Sequence, residues 1–310
     1  MKALVTGGAG FIGSHIVDRL ISMGIETIII DNMYTGQKEN INPKAKFYLN
    51  DIRDKEVQNI IKNERPDYIF HTAAQMSVPF SVENPKFDLD VNGNGTLNLI
   101  KAAMEIDLKK FIFSSTGGVI YGQMEVLPTK EDVILKPLCP YGITKLLCEN
   151  YLHFYNHEFN FNYVALRYGN VYGPRQANAH ESGVITIFAR KMLKNERCII
   201  YSYEDQPGGM IRDYVYVSDV VDANIAAMEA ESGVYNVGTG IGTNTQTLYE
   251  TIQDISDINP GYDVLPPRQG EIKSIILNVE KSNSKLNWSP KIDIKNGMKI
   301  TLDYFRSIKE

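Results

Sequence analysis

Short runs of apolar residues, mostly β-branched or aromatic, recur through the first half of the chain and are separated by stretches long enough for a helix. Several runs are apolar at consecutive positions instead of alternating, which is typical of strands buried on both faces of a parallel sheet. The predicted strands are Ala3–Val5, Thr27–Ile30, Lys46–Leu49, Tyr68–His71, Phe111–Ser114 and Tyr163–Arg167. The predicted helices are Gly13–Met23, Val57–Asn63, Thr96–Met104 and Tyr141–His157. The pattern predicts an α/β fold with a doubly wound parallel sheet of the Rossmann type.

The regular alternation of strands and helices ends after about Asn170, where loops containing Pro and Gly alternate with scattered helices. Two later strands, Tyr214–Val217 and Val234–Val237, are expected to return the chain to the first lobe. We therefore predict a first domain of residues 1–170 with roughly 212–240, and a smaller C-terminal lobe of residues 171–211 with 241–310.

Composition and charge narrow the classes of partner. The chain of 310 residues has 32 Lys and Arg against 37 Asp and Glu, a formal charge of −5, with no basic block, so nucleic acid is not an expected partner. The longest apolar stretches, such as Gly183–Ala189, are far shorter than the ~20 residues of a membrane span. The first residues run directly into a Gly-rich turn without the apolar region of a signal peptide, which predicts a cytoplasmic location. Three cysteines without metal-ligand spacing predict reduced thiols and no metal.

A glycine motif follows the first predicted strand. Gly7, Gly10 and Gly13 allow a sharp turn and let a pyrophosphate approach the helix N-terminus that Phe11 and Ile12 begin. The next strand ends in Asp31, 18 residues after the last glycine. A carboxylate there accepts both ribose hydroxyls of an adenosine and repels a 2′-phosphate, so the spacing predicts NAD in preference to NADP. A tight turn with a loop-capping aspartate is the alternative.

Two further strand ends fall at the same edge of the predicted sheet. Asp51 and Ile52 follow the third strand and are placed to meet the adenine, although Asp51 is an equally good helix N-cap. Ala73 and Ala74 follow the fourth strand, where small side chains permit close approach of a ligand. Simple turn packing is the competing interpretation of the alanines.

Tyr141 and Lys145 lie four residues apart at the start of a predicted helix and so project from one face. A Lys ammonium beside the phenol would stabilise the phenolate, lower its pKa and make Tyr141 a usable base. A Tyr and a Lys four residues apart occur by chance in many helices. The place of this pair after a strand ending in Ser114, Ser115 and Thr116 favours a catalytic role, because that strand end offers hydroxyls to the same reacting oxygen.

The sequence at this point resembles the extended short-chain dehydrogenase/reductases, and among them the UDP-galactose 4-epimerases and related nucleotide-sugar epimerases. The resemblance covers nearly the whole chain. The motifs that carry it are Thr6–Gly13, Asp31–Asn32, His71–Ala74, Ser114–Thr116 with Tyr121–Gly122, Tyr141–Lys145, Arg167–Arg175, Arg212–Tyr214 and Arg268–Glu271.

The resemblance implies roles for individual residues. Tyr141 is the acid/base, Lys145 its electrostatic partner and ribose ligand, and Thr116 the hydroxyl that relays the proton of the sugar's 4-hydroxyl. Gly117 and Gly118 lengthen the span to the next motif by one residue, which leaves Ser115 as the alternative to Thr116. The further cofactor contacts implied are Asn32 and Tyr168.

The second lobe is then expected to hold the nucleotide. Asn170 would bind the diphosphate, and Arg212 and Arg268 would clamp its charge, as guanidinium groups do well. Surface salt bridges are the alternative for both arginines. Val184, with Ile185 beside it, would line the uracil pocket, although apolar residues there also suit a core. Ile275 corresponds approximately to the position that limits the size of the hexose.

The implied reaction is inversion at carbon 4 of a UDP-hexose, UDP-glucose or UDP-galactose, through a transient 4-keto sugar with tightly held NAD, as in galactose metabolism. A 4,6-dehydratase is disfavoured, because Gly117 and Gly118 stand where that enzyme carries an Asp–Glu pair. The alternatives are a UDP-glucuronate 4-epimerase or decarboxylase, a UDP-N-acetylglucosamine 4-epimerase, and a non-catalytic NAD-binding sensor.

The helix from Tyr141 carries apolar residues on more than one face. These residues are Leu146, Leu147, Tyr151, Leu152, Phe154 and Tyr155. One stripe can face the sheet and the other a partner, which agrees with the homodimer of the resembling family. A thicker monomeric core is the alternative.

Overall fold

Seven parallel strands form the central sheet of the protein, seen in a computed structural model that describes residues 1–176, 183–268 and 271–308. The strands are β1 (Lys2–Thr6), β2 (Glu26–Asp31), β3 (Lys46–Leu49), β4 (Tyr68–His71), β5 (Lys110–Thr116), β6 (Tyr163–Tyr168), β7 (Asn170–Tyr172), β8 (Cys198–Tyr201), β9 (Ile211–Tyr216), β10 (Gly233–Val237), β11 (Gly242–Asn244) and β12 (Tyr262–Leu265). The central sheet has the order β10-β6-β5-β4-β1-β2-β3. The prediction of a doubly wound parallel sheet is confirmed, and all six strands predicted in the first half are present.

The helices are α1 (Phe11–Ser22), α2 (Lys55–Glu64), α3 (Val78–Glu83), α4 (Pro85–Asp88), α5 (Gly95–Ala103), α6 (Pro140–Phe159), α7 (Val184–Leu193), α8 (Val217–Ala226), α9 (Thr245–Ser256), α10 (Glu280–Lys285) and α11 (Ile294–Ser307). A π-helical segment, Leu89–Asn94, joins α4 to α5. The four predicted helices correspond to α1, α2, α5 and α6. No helix in the part of the chain that the structure describes is long and apolar enough to cross a membrane.

Apolar cores cover both faces of the central sheet, which explains the consecutive apolar positions of its strands. On β1, Ala3 and Val5 pack with residues of α1 and α8, whereas Leu4 points to the opposite face and packs with residues of α2 and α5. Both sets are fully buried. A strand that alternated apolar and polar residues would bury polar groups against one of these helix layers.

The second lobe contains two small sheets, β11-β9-β7 and β12-β8, and its own core, which includes Phe188, Tyr249 and Leu302. The two returning strands predicted from sequence have different outcomes. Val234–Val237 belongs to β10 and pairs with β6 in the central sheet. Tyr214–Val217 falls largely in β9, which pairs with β7 and β11 and not with the central sheet, and its return to the first lobe stays a prediction. The division of the chain into two domains stays a prediction.

Candidate active site

A cleft of about 1240 Å³ runs along the carboxyl ends of the central strands and is lined by residues of both lobes. The loops after β1, β2, β4 and β5 form one wall, and residues of α7, β8 and β9 form part of the other. In open parallel α/β sheets, ligands bind in the crevice beyond these strand ends. The sequence-predicted site residues therefore meet in one continuous space.

The turn between β1 and α1 tolerates only glycine at two of its positions. Gly7 has φ +70°, and a Cβ there would lie 2.7 Å from the backbone nitrogen of Ala73. A Cβ on Gly13 would lie 2.2 Å from the carbonyl oxygen of Gly7. These contacts bring the turn close to the loop after β4. They leave the start of α1 open, where no side chain caps the helix N-terminus at Gly10.

Phe11 and Ile12, in the first turn of α1, line the cleft together with Gly7, Gly10 and Gly13. An uncapped helix N-terminus presents backbone N–H groups and the positive end of the helix dipole, which favour an anion such as a pyrophosphate. The geometry of this turn fits the phosphates of a dinucleotide.

Asp31 ends β2, is buried and lines the cleft. Its Oδ2 accepts a hydrogen bond from the backbone N–H of Ala9 at 2.9 Å, and its Oδ1 accepts one from the N–H of Met33 at 2.8 Å. Burial raises the pKa of this carboxyl, and the two backbone hydrogen bonds oppose the rise. Each oxygen keeps acceptor capacity for a ribose hydroxyl. The residues present therefore fit an adenosine ribose.

Asp51 and Asn32 both line the cleft, and the Asn32 amide donates to Asp51 Oδ2 at 2.8 Å. Arg53 also binds Asp51, with its Nε 2.8 Å from Oδ1, and this hydrogen bond lowers the pKa of Asp51 to about 2. The alternative role of Asp51 as an N-cap was wrong, because α2 begins at Lys55 and Asp54 precedes it. Ile52 is buried and lines the cleft.

Ala73 and Ala74 line the cleft just after β4, and a buried histidine orients their loop. The Thr96 hydroxyl donates to Asn92 O, so it accepts from His71 Nε2–H at 2.9 Å. His71 Nδ1 then accepts from the Thr6 hydroxyl, which in turn accepts the N–H of Ala73. Burial lowers the pKa of His71 well below its usual value, which keeps the ring in this neutral tautomer.

Tyr141 and Lys145 project from the first turns of α6 into the cleft, as their spacing predicts. The Lys145 Nζ donates to Ser114 O at 2.9 Å and lies 4.6 Å from the ring centre of Phe113 and 5.9 Å from that of Tyr141. Burial lowers the pKa of Lys145 to about 8.

The pKa of the Tyr141 phenol differs from the prediction made from the sequence. Burial, followed by the negative charge of Asp88, raises its pKa well above the usual value. The expected lowering by Lys145 is absent, because the ammonium group is turned toward the carbonyl of Ser114 and the phenol is desolvated. The surroundings described here favour the protonated tyrosine.

The three hydroxyls at the end of β5 have different neighbours. Ser114 Oγ lies 3.1 Å from the hydroxyl of Tyr168, and Ser115 Oγ donates to the buried carboxylate of Glu149. Within the described ranges, no hydrogen bond engages the hydroxyl of Thr116, which lines the cleft. Of the two candidates, Thr116 therefore has the hydroxyl available to a ligand.

Tyr168, predicted to contact the cofactor, lines the cleft but is itself almost buried. Its hydroxyl is held by Ser114 and by the Asn224 amide, which donates to it at 2.8 Å. The hydroxyl is thus directed into the protein, and a contact with a ligand would involve the rest of the residue.

The other half of the cleft is lined by the residues predicted to bind the nucleotide, which are Asn170, Val184, Arg212 and Arg268. The guanidinium of Arg212 is largely buried, and burial lowers its pKa. Its Nη2 lies 3.4 Å from Glu271 Oε1, a long ion pair that leaves donors free for a phosphate. Gln269 and Gly270, part of the motif around Arg268, lie outside the described residues.

Two apolar residues expected near the substrate are in cores instead. Ile185 is buried with Phe188 in the second lobe, and Ile275 is buried with Ile120 and Tyr121. Ile275, expected to limit the size of the hexose, does not line the cleft, and its role at the hexose stays a prediction. The neighbouring Ile272 lines the cleft.

Sequence reasoning missed two residues of this region. Tyr201, on β8, lines the cleft under Arg268, whose guanidinium carbon is 4.3 Å from its ring centre. Asp88 is a buried carboxylate behind α6. No local pattern marks either residue, because their partners are brought near by folding; an acidic residue between Phe87 and Leu89 was the one available hint.

Comparison with known proteins agrees with this geometry. The profile of the NAD dependent epimerase/dehydratase family matches residues 3–238. The UDP-glucose 4-epimerase of Mycolicibacterium smegmatis is 36% identical and is aligned over 99% of both chains.

Two solved structures are similar over 99% of both chains. A UDP-glucose 4-epimerase from Thermotoga maritima, solved with UDP-glucose, has 46% identity and a TM-score of 0.96. A UDP-glucose 4-epimerase from Thermus thermophilus, solved with NAD, has 41% identity and a TM-score of 0.94.

Proposed function

The chain belongs to the NAD-dependent epimerase/dehydratase family, and we propose that it acts there as a UDP-glucose 4-epimerase, interconverting UDP-glucose and UDP-galactose. The family match bears out the resemblance to extended short-chain dehydrogenase/reductases drawn from the sequence. Full-length similarity to enzymes named UDP-glucose 4-epimerase, one solved with UDP-glucose and one with NAD, supports the substrate and the cofactor.

The cofactor is NAD. The glycine turn and the uncapped start of α1 would hold its pyrophosphate, and Asp31 the adenosine ribose. Asn32, Asp51 and Ile52 would meet the adenine. Lys145, whose Nζ is fixed by Ser114 O, would bind the nicotinamide ribose. When bound, NAD⁺ supplies the hydride acceptor and donor for carbon 4 of the sugar.

The protein's own residues would move the proton. Tyr141 takes the proton of the sugar's 4-hydroxyl and returns it after the 4-keto sugar has turned over. The free hydroxyl of Thr116 would hydrogen-bond the same oxygen and relay the proton. Lys145, whose pKa burial lowers to about 8, is positively charged below about pH 8, and its Nζ lies 5.9 Å from the ring centre of Tyr141.

The substrate would span the two lobes. Arg212 and Arg268 would bind the diphosphate and Asn170 would donate to it, while Val184 packs against the base. A dehydratase needs an acid next to the strand-end threonine. Here a Cβ on Gly117 would already lie 2.6 Å from Leu277, so no carboxylate fits there without displacing that side chain.

One observation carries the proposal: Thr116, Tyr141 and Lys145 line the same cleft as the glycine turn. The test incubates purified protein with UDP-galactose, UDP-N-acetylgalactosamine and UDP-glucuronate, without added reductant, and resolves the products by chromatography. UDP-glucose is the expected product of the first incubation. Turnover of another nucleotide sugar but not of UDP-galactose or UDP-glucose would reject the assignment.

We further propose that the protein is a cytoplasmic homodimer with the domain division predicted above. Apolar side chains exposed on α6 support the dimer: Ile143 is 54% exposed, Phe154 49% and Phe159 53%. The three cysteines are buried free thiols, consistent with a reducing compartment.

A further inference from the structure

Asp88 is a completely buried carboxylate at the end of α4. Three uncharged groups donate to it: the Gln75 amide at 2.7 Å, the Asn92 amide at 3.1 Å and the Thr144 hydroxyl at 2.6 Å. Across the described ranges, no Lys, Arg or His forms an ion pair with it. Burying an unpaired carboxylate costs free energy, so its presence here calls for a function.

The three donors come from three separate parts of the active site. Gln75 belongs to the cleft-lining loop after β4, Asn92 to the π-helical segment and Thr144 to α6. Gln75 and Asn92 also exchange two hydrogen bonds, of 2.9 and 2.8 Å. Asp88 thereby joins the cleft-lining loop after β4 to the helix that carries Tyr141.

The negative charge of Asp88 faces several titratable groups. Tyr141, Lys145 and Cys148 lie on α6, and Cys139 just precedes it; Asp88 raises the pKa of each. For Tyr141 this adds to the larger effect of burial, whereas for Lys145 it opposes burial. Glu149 acts on Lys145 in the same direction as Asp88, and His71, on the sheet side of Lys145, is neutral.

We propose that Asp88 is a positioning residue of the active site, which through Thr144 and Gln75 joins the helix of Tyr141 and Lys145 to the loop after β4 and places a buried negative charge behind this pair. The inference rests on the proposed epimerase function, because it concerns the pair that would move the proton. Asp88, which does not line the cleft, adds to the larger effect of burial on the proton affinity of Tyr141.

The Asp88→Asn variant removes the charge while keeping the shape. Its Oδ1 can accept from Gln75 and Asn92, and its Nδ2 can donate to the Thr144 hydroxyl, which then donates to Tyr141 O, already at 3.1 Å. Without the negative charge, Tyr141 and Lys145 both lose their protons at lower pH. A mechanism that needs the Tyr141 phenolate beside a charged Lys145 gives a bell-shaped kcat profile, whose two limbs follow the ionisation of this pair.

The experiment measures kcat against pH for the NAD-loaded wild type, Asp88→Asn and, as a matched control, Asp254→Asn, which removes an exposed carboxylate of α9. We expect both limbs of the Asp88→Asn profile to move about 1 pH unit toward acid, with the control unchanged. Lower kcat with unmoved limbs would overturn the proposal. A wild type without turnover at any pH would instead reject the proposed function.

A second readout does not need turnover. In protein labelled with ¹³C-tyrosine, the Tyr141 resonance is identified by its loss in Tyr141→Phe, and we expect it to titrate at lower pH in NAD-loaded Asp88→Asn than in the wild type. An unchanged titration would contradict the role of the charge.

If Asp88→Asn fails to fold, Thr144→Val tests the positioning role, because it removes one hydrogen bond and keeps the carboxylate. We expect kcat to fall about tenfold with no acidic movement of the profile. An unchanged kcat, or an acidic movement, would overturn the proposal.

Discussion

The hydroxyls at the end of β5 show how the function of a residue depends on what its neighbours already bind. Ser115 and Thr116 are adjacent and chemically alike, yet Ser115 is committed to Glu149 while Thr116 faces the cleft. Ser115 therefore contributes to the stability of the fold, and we propose that Thr116 takes part in the proton transfer.

This difference predicts opposite effects for two conservative substitutions. Thr116→Val should lower kcat about 100-fold, because it removes a hydroxyl from the proton path. Ser115→Ala should leave kcat within a few-fold of the wild type and destabilise the fold by about 1–2 kcal/mol, because the buried Glu149 loses a donor. Steady-state kinetics and urea unfolding measure the two effects. The reverse pattern would assign the relay to Ser115.

Tyr141→Phe tests the acid/base directly. The phenol is partly open to the cleft and makes no hydrogen bond within the described residues, so its removal should leave folding and bound NAD intact. We expect kcat to fall by a factor of about 10²–10⁴, the usual contribution of a general acid or base. NAD content is measured after denaturing release. Undiminished turnover would remove Tyr141 from the mechanism.

At the scale of elements, α6 is fixed to the central sheet by a buried ion pair. Glu149 of α6 accepts two hydrogen bonds from Arg167 of β6, at 3.0 and 2.7 Å, and both side chains are only 4% exposed. The same helix carries Tyr141 and Lys145, so this pair fixes the catalytic helix relative to the strand ends.

Replacing Glu149 by Gln leaves the buried Arg167 without a counter-charge. We expect the free energy of unfolding to fall by about 3 kcal/mol or more, measured by urea denaturation. Glu158→Gln, an exposed glutamate on the same helix, is the control and should change stability by less than about 0.5 kcal/mol. Equal stabilities of the two variants would show that the buried pair contributes little.

At the scale of the whole molecule, α6 has one side in the core and the other exposed. Leu152 is fully buried against the sheet, whereas Phe154 is 49% exposed and has ring contacts with Tyr155 and Phe159 of the same helix, at 5.3 and 6.0 Å. Contiguous exposed apolar surface of this kind is typical of a subunit interface.

Phe154→Glu should convert a dimer to a monomer, because it places a charge in the proposed interface. Light scattering coupled to size-exclusion chromatography measures the molar mass. Ile241→Glu, at a 67% exposed apolar residue of the second lobe, is the matched control and should leave the mass unchanged. A wild-type protein of monomer mass would refute the homodimer.

Several features of this protein depend only on the local order of residues along the chain. Runs of consecutive apolar residues determined the buried strands, the glycine spacing determined the turn before α1, and the interval of four residues put Tyr141 and Lys145 on one face. Each follows from backbone geometry over a few residues, so a linear pattern is sufficient to specify it.

The tertiary structure alone decided which side chains share a neighbourhood. In the folded protein, Ile275 lies in a core and β9 belongs to a second sheet. Ser115 donates to Glu149, and Asp88 lies behind the helix of Tyr141. Each of these outcomes depends on contacts between residues that are far apart in the sequence. Thr144 and Asp88, for example, are 56 positions apart. Desolvation and hydrogen-bond partners, and therefore proton affinities, are set by such contacts and have no signature in a local pattern.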